Sequence, residues 1–287
     1  MSFLKLPWAL WRRQIVAVVR LELKKTLFAR RGLWIYFLAF APVLLYAAHS
    51  FSMIRTGRRG NFGEDTHIFA AVFQFFYLRL AIFFGCVGIF MNLFRGEVLD
   101  KSLHYYFLAP IRREVLLVGK YLSGLLAATA IFCSSTLIQL VASYWYFDSN
   151  VIRDYLSHGD GLGHGAAYLG VTLLACIGYG SIFLAAGVVF RNPLVPTLIV
   201  LVWETINGFL PPLMQKCSVI FYLKSLCPVS VSASVALHKG NPLALIVVNV
   251  NPASAATAIL GLLILSVAVL ALSSLRLRRM EIEYGAE

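Results

Sequence analysis

Arg79 and Glu204 are ionisable residues set deep in apolar runs. An unpaired charge at the centre of a bilayer costs at least about 2.5–3.5 kcal/mol on insertion scales. Arg79 lies 12 residues past His67, roughly 18 Å along a helix rising 1.5 Å per residue. Glu204 lies 10 residues past Leu194, roughly 15 Å by the same rise. The two runs cross in opposite directions, so in a hydrocarbon core about 30 Å thick the two depths nearly coincide. The residues are therefore expected to pair, within one chain or across a dimer. Such a pair reads either as a static lock between two spans or as the polar lining or gate of a pathway. Asn207, near one turn beyond Glu204, is placed to face the same way. Gln74, Gln139 and Thr205 add polarity that hydrogen bonding between helices explains at least as well as substrate contact.

Other residue types that do chemistry are sparse. His158, Asp160 and His164 are metal-ligand types, but the glycines between them fix no geometry, and a flexible turn rather than a metal site is expected. No G-x-x-x-x-G-K-[ST] loop exists to cradle phosphates, and no G-x-S-x-G or H-E-x-x-H string is present. The chain is thus expected to be no enzyme, with no cofactor or metal of its own and with energy supplied by a partner or an ion gradient. Cys217 and Cys227 could be joined in an oxidising exterior, though nothing in their spacing requires it.

Composition says where these residues sit. Of 287 residues, 60% are hydrophobic and 13% charged. Soluble domains are nearer 45–50% and 25%. Six spans follow from the apolar runs, at 33–53, 67–94, 113–147, 166–190, 194–211 and 254–275, in an all-α polytopic domain. Asn192 can cap the fifth and Pro193 suits its first turn. The net charge of +12 is uneven. With a cytoplasmic N-terminus, 17 basic residues fall inside and 7 outside, which favours both termini, 1–32 and 276–287, on the cytoplasmic side. The basic excess is thereby explained by the lipid bilayer and its anionic headgroups, without nucleic acid. Residues 212–252 are apolar but broken by prolines and punctuated by lysines. They are expected to form re-entrant or interfacial short helices that do not cross. Glycines 119, 124, 178 and 180, with Ser123 and Ser181, permit close helix packing.

Two segments outside the spans complete the pattern. Trp8 to Phe28 carries Trp11, Ile15, Val18, Val19 and Leu23 on one helical face and Arg13, Arg20 and Lys24 opposite, as in a helix lying in the membrane interface. Glu22 falls on the apolar face, where it requires a basic partner or a capping role. Between spans 2 and 3, Val98, Leu99, Leu103, Tyr106 and Phe107 form an apolar stripe that Pro110 ends. Such a helix, over 97–109, is suited to a groove on another protein or to the membrane surface.

Here the sequence resembles the ABC-2 type permeases, the membrane subunits of a class of ABC exporters. The resemblance rests on Glu97, Lys101-Ser102-Leu103, Pro110-Ile111-Arg112-Arg113 and Leu116-Leu117-Val118-Gly119-Lys120, with the closing Glu281-Ile282-Glu283-Tyr284 similar to family tails. It implies an elbow helix, six spans, a coupling helix between spans 2 and 3, and a broken segment between spans 5 and 6. It implies, too, docking onto separate ABC ATPase subunits through Glu97, Lys101, Leu103, Tyr106, Phe107 and Pro110. ATP and Mg would act on those subunits. A second permease chain, identical or not, would complete the pathway, in a bacterial inner membrane. Asp100-Lys101 stands where many members have Gly. A secondary transporter or channel using Arg79 and Glu204, or a membrane scaffold, is the alternative reading.

Overall fold

The computed structural model describes residues 8–28, 32–57, 60–99, 108, 111–190, 192, 194–229 and 252–279. These residues are helical, with no strand among them. They form α1 (Trp8–Phe28), α2 (Leu33–Thr56), a composite α3, α4 (Arg113–Tyr144), α5 (Ser149–Ser157), α6 (Gly161–Val189), α7 (Leu194–Ile206), α8 (Pro212–Gln215), α9 (Val219–Leu226) and α10 (Ala255–Arg278). α3 runs without a break through Phe62–Val72, a π-helical stretch Phe73–Ile82, Phe83–Cys86, a second π-helical stretch Val87–Met91, and Asn92–Leu99. Among the described residues, five helices are long and apolar enough to cross a membrane: α2, α3, α4, α6 and α10. The protein is a multi-pass helical membrane protein.

α6 is the central post. It packs against α3, α4, α9 and α10, and it is the most enclosed of the long helices, while α10 is among the most open. Close approach explains its glycines. A Cβ at Gly187 would stand 2.9 Å from the Met91 backbone oxygen, and one at Gly178 would stand 2.9 Å from the Val219 side chain. Gly119 of α4 likewise admits Val18 of α1, whose Cγ1 would lie 2.9 Å from an added Cβ. Short hydrogen bonds pin α2 to α4: Ser135 Oγ donates to the Ala39 carbonyl at 2.5 Å and Ser50 Oγ to that of Ala142 at 2.6 Å.

The fifth expected span, 194–211, is corrected. α7 has 13 residues, about 20 Å of helix, followed by a three-residue 3₁₀ turn at Asn207–Phe209, short of a core about 30 Å thick. Yet the bundle needs a sixth traverse. Arg113 Nη1 donates to the Leu277 carbonyl at 2.9 Å, and Arg278 pairs with Glu114, so α10 ends at the end of the bundle where α4 begins. α1 lies at that same end, against the start of α4. Five crossings alone would put α1 and the end of α10 at opposite ends. The return is therefore made in pieces: α7 enters from the α1 end, and the chain turns through Pro211 into α8 and the buried α9. That fits the short non-crossing helices expected over 212–252 as far as Val229; residues 230–251 lie outside the described residues.

Two further differences concern the opposite, far end. Residues 149–157 form a helix where a loop was expected. Asp148 starts it, its carboxylate accepting from the Asn150 amide at 3.1 Å. The Gly161–Gly165 string is not a turn but the first turns of α6, long-helix context overriding weak propensity. At the start of α7 the expected cap is present, with Asn192 Oδ1 accepting from the Leu194 amide at 3.0 Å.

Candidate functional site

At the α1 end, three buried ionisable side chains meet. Lys120 Nζ stands 2.8 Å from Glu22 Oε1 and 2.7 Å from Glu97 Oε1, and donates to the Leu93 carbonyl at 2.8 Å. All three side chains are essentially excluded from solvent. Lys120 also lies 5.3 Å from the centre of the Phe94 ring, a cation–π distance. Each charge comes from a different element: Glu22 from α1, Glu97 from the last turns of α3, Lys120 from the second turn of α4. The local cause is plain. Gly119 lets α1 lie directly on α4, which brings Glu22 over Lys120, a basic partner for the acidic residue on the apolar face of α1. Arg112 reinforces the contact, its guanidinium 4.9 Å above the Trp11 ring.

Two carboxylates face one ammonium, so the lysine is the shared element. Burial by itself would raise the Glu22 carboxyl. Lys120 nearby, hydrogen bonds with Glu97 and Lys120, and the charge of Lys25 together outweigh it and hold Glu22 below the usual carboxylate range. A carboxyl depressed in the folded state stabilises above its unfolded pKa and loses that contribution as pH falls through its folded value. Docking of α1 is accordingly expected to hold at neutral pH and to weaken on acidification below about pH 4.3. The fluorescence of Trp8 and Trp11 follows it. Glu22→Gln is expected to remove this acid transition.

Glu97 was expected on a docking surface. It sits instead with its carboxylate turned inward on Lys120 and 1% exposed, an inner anchor for the segment that follows it. The other expected docking residues, Lys101, Leu103, Tyr106, Phe107 and Pro110, lie outside the described residues, as does the body of the 97–109 helix beyond Leu99.

Halfway along the bundle, Arg79 and Glu204 do come together, but not as opposed side chains. Arg79 Nη1 donates to the backbone carbonyl of Glu204 at 3.4 Å. The Glu204 carboxylate is turned toward α9. Oε1 accepts from the Val219 amide at 2.9 Å, and Oε2 from the Ile220 amide at 2.8 Å and from Ser218 Oγ at 2.9 Å. The expected ion pair is thus replaced by a helix cap. The first amides of any helix have no partner within it, and the positive end of the helix dipole favours a carboxylate there. In a membrane these amides have no water to fall back on. Asn207 belongs to the same device: its Nδ2 donates to the Gln215 carbonyl at 3.2 Å, and Gln215 Nε2 donates to that of Leu210 at 2.8 Å. Gln74 of α3 reaches across to the Val229 carbonyl at 2.8 Å. A cavity of about 220 Å³ opens beside the cap, lined by Phe75, Arg79, Phe83, Tyr179, Leu201, Glu204 and Thr205 among others.

The cap was invisible to sequence reasoning, because its donors stand 14 to 16 residues beyond Glu204 on the far side of a turn. The histidines of the expected turn do not converge. His164 Nδ1 is 2.7 Å from Tyr155 Oη, and His158 Nδ1 is 3.3 Å from Asp154. Among the described residues no three His, Cys, Asp or Glu side chains gather to hold a metal, and Cys217 and Cys227 are free thiols. No protein-family model matches the sequence, and no curated protein is significantly similar to it.

Proposed function

We propose that this chain is the permease subunit of an ATP-driven transporter, an exporter in a bacterial inner membrane with both termini cytoplasmic. It pairs with a second permease chain and with separate ATP-binding subunits, which hold ATP and Mg. The single observation that carries this reading is the Lys120 node. The acidic residue that opens the family-like motif and the lysine that closes it are in contact at 2.7 Å, and α1 is tied into the same contact. A push on the segment between them therefore reaches α1, α3 and α4 together.

The elements downstream suit such a transfer. α3 leaves the node through two π-helical stretches, where the backbone ladder is wide and its turns are readily shifted. It then meets the broken segment at Arg79, beside the mid-depth cavity. α7 presents Leu194, Leu198, Ile199 and Val202 outward, a face for a second permease to cover. A gradient-driven carrier using Arg79 and Glu204 as an ion relay is less well supported, because the carboxylate is occupied by two backbone amides and a hydroxyl. A passive scaffold would need none of this linkage.

Co-purification from gently solubilised membranes tests the proposal. A soluble subunit bearing a phosphate-binding loop is expected to accompany the wild-type chain and to be lost from Leu103→Glu and Phe107→Glu, with the membrane chain still folded. Transport that persists without any such subunit would refute it.

A further inference from the structure

At the far end of the bundle a cavity of about 680 Å³ lies between the last turns of α4, the whole of α5 and the first turns of α6. We propose that it binds one acyl chain of a bilayer lipid. Its size falls in the range of small-molecule sites, roughly 300–1,000 Å³. Its walls are almost wholly carbon, with Leu137 and Val141 on one side and Leu162 on the other.

Three observations select this occupant. Leu137, Val141 and Leu162 are 49%, 57% and 70% exposed and sit on helices of membrane-spanning length, so the mouth is continuous with the lipid-facing surface. Trp145, 70% exposed at the end of α4, marks the level where aromatic side chains meet headgroups. The mouth thus lies where the upper part of a lipid chain runs. Finally, the cavity is walled by α4, α5 and α6 together, a narrow recess of the kind a single flexible chain fills. Polar groups are confined to a few places, chiefly Tyr155 Oη and His164 Nδ1 at 2.7 Å from each other.

Gly165 provides the test. It lines the cavity, and a Cβ built on it meets nothing within 4 Å, so a side chain added there starts in open space. Replacing a helical glycine also favours the helix. The full chain is reconstituted in phosphatidylcholine nanodiscs doped with a phosphatidylcholine carrying a diazirine near the end of one chain. After irradiation, adducts are mapped by peptide mass spectrometry. Labelling of the peptides spanning 137–141 and 162–169 is expected to exceed that of the lipid face of α10 at Ile264 and Val267. Gly165→Phe is expected to reduce it at least about fivefold, as filling of the site requires, and to leave α10 unchanged. Ile152→Trp, which fills the same space from α5, serves if Gly165→Phe does not fold. Equal labelling of cavity and α10, or labelling that survives a folded filling variant, overturns the proposal. So does a cavity that stays unlabelled while the substitution disrupts pairing of two chains, since the occupant would then be a second copy.

Discussion

Lys120→Met is expected to cost about 3–5 kcal/mol of stability, the cost of breaking a buried ion pair by removing one partner. It is read as a large fall in the melting midpoint of the protein in detergent. The substitution preserves most of the side chain's volume, so the loss reports charge rather than packing. Without the ammonium, Glu22 and Glu97 face one another in a site closed to water, and the Leu93 carbonyl loses its donor. The stoichiometry makes a sharper forecast. Because one lysine serves two carboxylates, Glu22→Gln or Glu97→Gln leaves a one-to-one pair, and each is expected to cost far less than Lys120→Met. The triple change Glu22→Gln, Glu97→Gln, Lys120→Met leaves no charge at the site and is expected to recover most of the loss, because uncharged replacements of buried ion clusters are often near neutral. Equal losses for all three single changes would show that the charges act independently and that no shared node exists. The distinction bears on function: a node that fails only when Lys120 is removed is one through which α1, α3 and α4 move together.

How far the sequence reaches is clear from the same residues. Apolar periodicity is local, so the bounds of α1, and of the long helices to within a few residues, could be read from it. The misfit of Glu22 on an otherwise apolar face could be read too, and it pointed to a basic partner. Which lysine answered it could not, because Glu22 and Lys120 are 98 positions apart and only the approach of α1 at Gly119 joins them. Depth along a helix is also local, and it correctly brought Arg79 and Glu204 to one level. Direction is not, and the carboxylate turned toward a helix that lies beyond a proline turn. The fifth apolar run, 194–211, misled for a related reason. A hydropathy sum counts residues and is blind to the 3₁₀ turn at Asn207–Phe209 that ends α7 early. At the far end, the glycines of 161–165 read as a turn because propensity was weighed without the long helix that recruits them.

Glu204→Leu is the second substitution expected to have a large effect, and it tests what this buried charge does. Three charge-assisted hydrogen bonds of 2.8–2.9 Å hold the start of α9 to α7. Each such bond is worth about 1.5–3 kcal/mol, and leucine leaves the Val219 and Ile220 amides with no acceptor in a site water does not reach. The expected loss is several kcal/mol. It is local in its signature: hydrogen exchange at these two amides accelerates before the long helices are affected. Glu204→Gln keeps one carbonyl oxygen in place and is expected to retain part of the protection. A simple ion pair would behave otherwise, for then Arg79→Gln would release the Val219 and Ile220 amides as fully as Glu204→Gln does. With the carboxylate engaged by the helix start and Arg79 Nη1 donating to the Glu204 backbone carbonyl, exchange at those amides is expected to respond to position 204 far more than to position 79. Unchanged protection in Glu204→Leu would mean that the amides are satisfied by other groups and that the carboxylate is available for transport chemistry. If protection is lost as expected, the charge at mid-bundle is what allows the sixth traverse to be broken. The broken traverse in turn places a short, buried helix beside the 220 Å³ cavity, where a continuous span would have filled the space.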